Sequence, residues 1–110
     1  MSVLMYAGYL AAGNFMVNGL LHLLMGLLGR RFVRRPKLVS QRQYERVYTG
    51  RLFSSAVFNA VYGLGQILVV LVALAASPFR FGLTLETGVL CAGITFSTVL
   101  LAWKYDGAVG

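Results

Sequence analysis

Six polar side chains lie in two otherwise apolar stretches, with the types and spacing to form a hydrogen-bonded site. We call this group the polar seam; its members are Asn14, Asn18, His22, Asn59, Tyr62 and Gln66. In each stretch they recur at steps of three or four residues, so they share one face of a helix. Amides, a phenol and an imidazole can hydrogen-bond one another or a ligand, and the imidazole can also transfer a proton or bind a metal.

A metal centre or a catalytic centre would need more partners than this chain provides. His22 is the only histidine and Cys91 the only cysteine, whereas protein metal sites combine several such ligands. The three carboxylates, Glu45, Glu86 and Asp106, are far apart in sequence, and no catalytic triad, P-loop or dinucleotide fingerprint is present. We therefore expect a non-enzymatic protein with no catalytic residues, no metal and no resident cofactor.

Three long runs without a charged residue predict three transmembrane helices. These runs are Met1–Gly29, Leu52–Phe79 and Thr87–Trp103. Because ~20 helical residues cross the hydrocarbon core, the third run needs the residues just before it, which puts Glu86 near an interface. We predict an all-α integral membrane bundle that forms a single domain over residues 1–110. The spans are expected at about residues 3–28, 52–76 and 83–103.

The net charge of +7 is concentrated between the first two predicted spans. Eight of the ten basic residues lie in this loop, residues 30–51: Arg30, Arg31, Arg34, Arg35, Lys37, Arg42, Arg46 and Arg51. Positive loops stay in the cytoplasm and attract anionic lipid head groups, so the charge needs no nucleic-acid partner. We expect contacts between these side chains and anionic lipids, an N-out/C-in topology, and a multi-pass protein of a bacterial inner membrane.

The basic loop also carries a helix-start signal. Pro36 breaks any helix that continues from the first span, and Ser40 with Gln43 three residues later fits a capping box. This pattern predicts a short cytoplasmic amphipathic helix before the second span. A solvated basic loop is the alternative that the sequence leaves open.

Counting inward from Arg30 and Arg51 at ~1.5 Å per residue gives the depth of each seam residue in the first two spans. On this count, antiparallel neighbours pair as His22 with Asn59, Asn18 with Tyr62, and Asn14 with Gln66. Small residues should let the helices approach closely, namely Gly8, Ala12, Ala56, Ala60, Gly88 and Ala92. The seam fits a packing role, and it also fits a ligand site or pathway, because His22 is an ionisable group within a span.

Part of the chain, from Asn18 to Gln66, resembles a group of small, functionally uncharacterised bacterial membrane proteins. The first half of the shared pattern is Asn18, His22, Gly26, Gly29, Arg30, Arg31 and Phe32. The second half is Ser54, Ser55, Asn59, Tyr62, Gly63 and Gln66. This chain departs from the group by a longer, more basic and less proline-rich loop, by Tyr62 in place of Trp, and by Gln66 in place of Asn. The resemblance implies no activity, but it favours Asn18, His22 and Asn59 as one constellation.

These observations lead to three hypotheses about function. The first is an accessory or assembly subunit whose polar seam packs helices, as a homo-oligomer or within a larger membrane complex. The second is a small oligomeric transporter, channel or pore, since the size and topology are similar to those of three-span phage holins. The third is a membrane subunit that binds a lipid, a quinone or a haem through His22.

Overall fold

A computed structural model describes residues 3–49 and 55–110. Its helices are α1 (Val3–Leu27), the short α2 (Gln41–Gln43) with a π-helical continuation (Tyr44–Tyr48), α3 (Ala56–Ala76) and α4 (Leu85–Lys104). Helices α1, α3 and α4 are each long and apolar enough to cross a membrane, which confirms the all-α class and the three predicted spans. The start predicted for the second span, and the predicted lipid contact Arg51, lie outside the described residues.

Side-chain caps fix where the helices begin. The hydroxyl oxygens of Ser40, Ser55 and Thr84 each accept a hydrogen bond from the backbone N–H three residues later. Such caps satisfy N–H groups that have no partner inside the helix. The cap at Ser40 confirms the predicted helix start in the basic loop.

Helix α1 is the central element, and α3 and α4 pack on it from two sides. Within the described residues, no Cα atoms of α3 and α4 lie within 8 Å of each other. Two glycines permit the close approach: a side chain at Gly63 would collide with the backbone of α1 at Gly19 and Leu23, and one at Gly93 with Leu10. The expectation that Gly8 and Gly88 serve this purpose is wrong, because both face open space.

Buried apolar side chains form two clusters, one at each end of the bundle. The cluster at the end where α1 begins contains Tyr9, Val70, Leu74, Phe79 and Leu90. The cluster at the basic end contains Met25, Phe32, Val39, Tyr48, Leu101, Tyr105 and Ala108. The polar seam lies between the two clusters, so the apolar cluster at the far end separates it from the opposite membrane face.

The segment after α1 pairs with the segment after α4 at the basic end. The backbone N–H of Val33 donates to the carbonyl of Ala108 at 2.7 Å, and that of Gly110 donates to Arg31 at 3.0 Å. The basic loop and the segment after α4 are therefore on one side of the bundle, as the sequence predicts. All the described basic side chains of the loop are exposed: Arg30, Arg31, Arg34, Arg35, Lys37, Arg42 and Arg46.

The opposite end carries an ion pair. Glu86 lies in the first turn of α4, and its carboxylate accepts hydrogen bonds from the Arg80 guanidinium at 3.2 and 3.4 Å. The Glu86 side chain is 3% exposed, whereas that of Arg80 is 74% exposed. Glu86 is therefore at a helix end, as predicted, but it is covered by protein.

Candidate functional site

A buried hydrogen-bond chain links α1 to the start of α3. The side-chain Nδ2 of Asn59 donates to the carbonyl of Ser55 at 3.0 Å, which leaves the Asn59 oxygen facing His22. The distance from that Oδ1 to the Nδ1 of His22 is 2.8 Å. Because an amide oxygen only accepts, Nδ1 carries the proton, and in the neutral ring Nε2 is the acceptor. The predicted pairing of His22 with Asn59 is confirmed.

The His22 ring is surrounded by aromatic rings from three other parts of the chain. The distances between ring centroids are 5.0 Å to Tyr62, 5.8 Å to Phe32 and 6.5 Å to Tyr105. Tyr62 is on α3, Phe32 is in the loop after α1, and Tyr105 caps α4. This packing holds the imidazole at the point where the basic loop, α3 and the end of α4 meet.

Two phenols of this aromatic group pack against Phe32. The ring centroid of Tyr48, from the π-helical segment, is 4.7 Å from that of Phe32, and the ring centroid of Tyr105 is 5.2 Å from it. Burial is the main reason that the pKa of each phenol lies above its usual value. Both hydroxyl groups are therefore neutral at physiological pH and can donate or accept hydrogen bonds.

The second interhelical contact of the seam differs from the predicted one by about a turn. The Nδ2 of Asn18 donates to the Oε1 of Gln66 at 3.0 Å, where the sequence predicted Asn18 with Tyr62 and Asn14 with Gln66. The reason is that α3 begins only at Ala56, so depth has to be counted from the helix ends. Asn18 is nine residues before the end of α1 and Gln66 is ten after the start of α3, which makes them level.

A cavity of about 400 Å³ lies against the seam, between α3 and α4. We call it the polar cavity. Five of the six predicted seam residues line it, namely Asn14, Asn18, His22, Tyr62 and Gln66. Asn59 is fully buried and holds His22 by its hydrogen bond. The volume of the polar cavity is within the range of small-molecule sites.

The wall of the polar cavity at the basic end comes from residues that the sequence did not predict to be part of the site. Gln43, Tyr48, Lys104 and Tyr105 are among them. Among the described residues of the lining, Lys104 is the only charged one, and none is a carboxylate. Tyr105 could have been foreseen only as an interfacial aromatic residue, since nothing in the helical period brings the segments after α1 and α4 back onto His22.

A second, apolar depression adjoins the polar cavity. This lipid-facing groove, of about 490 Å³, runs along α3 and is lined by Phe15, Val61, Tyr62, Gly65, Gln66, Val69 and Val70. Phe15, Tyr62 and Gln66 belong to both linings. A molecule in the polar cavity could therefore extend an apolar portion along α3 into the hydrocarbon region.

No group of three or more His, Cys, Asp or Glu side chains comes together in the described parts of the chain, 3–49 and 55–110. The side chains of the polar cavity can hydrogen-bond a ligand, contact it through aromatic rings and attract an anion through Lys104. These interactions suit the recognition of a ligand.

Comparison of the chain with protein-family models, with curated proteins and with solved structures gives no match.

Proposed function

We propose that this multi-pass membrane protein is a non-enzymatic protein that binds an amphiphilic small molecule, a lipid or a quinone, in the polar cavity. The observation that carries the proposal is that the polar cavity and the lipid-facing groove are adjacent and share the lining residues Phe15, Tyr62 and Gln66. The amides and the imidazole can hydrogen-bond a polar head, while Val61 and Val69 contact an apolar tail.

Access to the polar cavity supports the same function. No Cα atoms of α3 and α4 lie within 8 Å of each other in the described residues, and the polar cavity between these helices adjoins the lipid-facing groove, which would be the lateral route of entry. An amphiphile could enter without leaving the membrane and without exposing its tail to water. A water-soluble ligand would gain nothing from the groove.

A pore through a single chain is less well supported. A conducting path would have to continue from the seam to the membrane face where α1 begins. That end is closed by the cluster around Tyr9, Leu74 and Phe79, and the ring centroids of Tyr9 and Phe79 are 4.9 Å apart. The polar cavity is therefore blind in one chain, which favours binding over conduction.

An accessory or assembly subunit, in a homo-oligomer or a larger complex, is the second candidate. The observation in its favour is the same separation of α3 and α4, which leaves room for a helix of a second copy or of another protein. In this case the seam mainly aligns α1 with α3, and the partner covers the polar cavity.

We further propose the bacterial inner membrane as the location, with the basic end in the cytoplasm. Seven exposed arginine and lysine side chains at that end are in position to attract anionic head groups of the cytoplasmic leaflet. The segment after α4 then lies on the cytoplasmic side, and α1 begins on the other side.

The experiment for this function is native mass spectrometry of the full chain, gently extracted from its own membranes. We expect one retained lipid or quinone per chain, and its loss when Asn18→Leu and Gln66→Leu are combined. The control is Thr98→Val on α4, because the Thr98 hydroxyl is exposed and bonds only the carbonyl of Ile94 in its own helix. If the wild type, the double variant and the Thr98→Val control all retain the small molecule, or if none of them does, the result would contradict binding in the polar cavity.

The same spectra distinguish the alternatives. A defined complex with another protein and no retained small molecule would favour the accessory subunit. Solute flux through proteoliposomes, together with a homo-oligomer in the spectra, would favour a pore.

A further inference from the structure

We infer that the amphiphile is an anionic phospholipid, with its phosphate at Lys104, its ester groups at the seam amides and an acyl chain in the lipid-facing groove. This inference rests on the proposed function, and it names the class of ligand for the same cavity.

The charge of the polar cavity is the first argument. Lys104 is half-buried in the lining, and the nearest described aromatic contact of its ammonium group is the ring of Tyr105, at 5.3 Å. None of the three carboxylates lines the cavity: Glu86 pairs with Arg80 at the opposite end, Glu45 accepts from Gln41 on the surface, and Asp106 is exposed in the segment after α4. A site with a cation and no carboxylate in its lining favours an anion.

The order of the polar groups is the second argument. Lys104 and Gln43 line the cavity at the basic end, where head groups of the cytoplasmic leaflet would lie. Asn14, Asn18 and Gln66 lie deeper in the bundle. Asn18 donates to the oxygen of Gln66, and none of the described residues accepts from the Gln66 amide NH₂, so this group can donate to an ester carbonyl.

The groove completes the match. Gln66 and Tyr62 line both the polar cavity and the groove, and beyond them the groove contains only apolar side chains and Gly65. Lys104, the seam amides and the lipid-facing groove therefore follow one another in the same order as the phosphate, the ester groups and an acyl chain of a phospholipid. A quinone offers ring carbonyls for the amides but has no group that needs Lys104.

The surface next to the polar cavity is the third argument. Gln43 and Val47 also line a shallow depression whose other residues include Arg42 and Arg46, and both arginines are exposed. These side chains lie at the head-group level of the proposed orientation. They would enrich anionic lipids around the entrance to the cavity.

The test measures lipid binding to the purified full chain by native mass spectrometry. Phosphatidylglycerol and phosphatidylcholine with identical acyl chains are added in turn, and inorganic phosphate is added as a competitor. We expect the wild type to prefer phosphatidylglycerol. We expect Lys104→Gln to lower that affinity about tenfold, because one charge-assisted hydrogen bond is lost. Phosphatidylcholine binding should fall less, because the choline cation already neutralises the phosphate of that lipid, and the remaining phosphatidylcholine binding shows that the variant is folded.

The matched control is Lys37→Gln. Lys37 is an exposed cation at the same end, 4.8 Å from the centre of the Trp103 ring, and it does not line the polar cavity. An equal loss in Lys37→Gln would overturn the assignment to Lys104 and point to the basic surface as a whole. Displacement of the lipid by inorganic phosphate would overturn it too, since the site would then be one for the free anion.

Two further outcomes separate this inference from the proposed function. Equal affinity for the two lipids, or preference for a quinone, would overturn the anionic phospholipid and leave amphiphile binding intact. Failure to hold any amphiphile would overturn both.

Discussion

The imidazole Nδ1 of His22 lies 2.8 Å from the Oδ1 of Asn59, and both side chains are almost completely buried. This contact joins the middle of the basic half of α1 to the first turn of α3. It also connects packing with ligand recognition, because the same imidazole is part of the polar cavity lining. Asn59 thus acts on the site through His22, without lining the cavity itself.

A double-mutant cycle should show that these two residues act as a pair. We expect His22→Leu and Asn59→Leu each to lower the free energy of unfolding by about 1–2 kcal/mol, since each leaves a buried polar partner without its hydrogen bond. The double variant should lose less than the sum of the two. Denaturant unfolding in mixed micelles measures all four proteins. Strict additivity would mean that the hydrogen bond contributes no coupling.

The close contact between α1 and α3 should make Gly63 intolerant of a methyl group. A Cβ at Gly63 would collide with the backbone at Gly19 and Leu23, so Gly63→Ala should cost about 1–3 kcal/mol of stability. Gly65→Ala is the control, because Gly65 is on the same helix and has no neighbour within 4 Å of a Cβ. Thermal unfolding in one detergent compares the two variants. Equal stability would show that the helices do not approach as closely as described.

The buried phenols should make stability fall at alkaline pH. The pKa of Tyr48 and that of Tyr105 are raised by burial in the folded protein, so the folded state holds protons that the unfolded state releases above a pH of about 10. This stabilisation is present below that pH and is lost as the pH rises toward the folded pKa values. The measurement is the free energy of unfolding against pH, with ultraviolet detection of tyrosinate.

The variant that carries Tyr48→Phe and Tyr105→Phe serves as the control for this prediction. It lacks both hydroxyl groups, so its stability should depend less steeply on pH in the alkaline range. An identical slope in the two proteins would show that other groups cause the loss.

The ion pair at the other end leads to a prediction about stability. Loss of Arg80 alone should lower the stability of the protein more than loss of both charges of the pair. Arg80→Ala leaves the covered carboxylate of Glu86 without its counter-ion, whereas adding Glu86→Gln removes the charge. We therefore expect the double variant to unfold at a higher temperature than Arg80→Ala alone. The opposite order would mean that water already solvates Glu86 well.

Thiol labelling tests the proposed orientation. Cys91, the only cysteine, is replaced by serine, and single cysteines are introduced as Arg35→Cys in the basic loop and Gly82→Cys between α3 and α4. In intact cells with a permeable outer membrane, we expect an impermeant thiol reagent to label the cysteine at 82 and spare the one at 35. The reverse pattern would place the basic end outside the cytoplasm.

The helical period accounts for what the sequence predicts well. Steps of three and four residues identify the faces that carry His22 and Asn59, and long uncharged runs identify the three helices. The depth count from Arg30 and Arg51 is less accurate, because α1 ends at Leu27 and α3 begins at Ala56. The cap at Ser55 starts α3 later than that count assumes, and this moves Gln66 from Asn14 to Asn18.

The basic-end wall of the polar cavity could not be predicted in the same way. Phe32, Tyr48 and Tyr105 reach His22 because two irregular segments turn back and pair, as the N–H of Val33 does with Ala108. Such pairing depends on contacts between residues far apart in the chain, which leave no periodic signal. The sequence also does not predict that α3 and α4 are separated. Each helix has a face with small residues, so the pattern does not indicate which pairs of helices pack together.

The position of Lys104 and Tyr105 after the last span has a consequence for biosynthesis. A nascent chain that has inserted α1 and α3 already contains the polar seam and the lipid-facing groove, but it lacks the wall that α4 and the following residues provide. The polar cavity therefore forms only after α4 has been inserted. A bilayer lipid that is already lying along α3 would be enclosed by the arrival of α4, so the occupant would be incorporated during assembly.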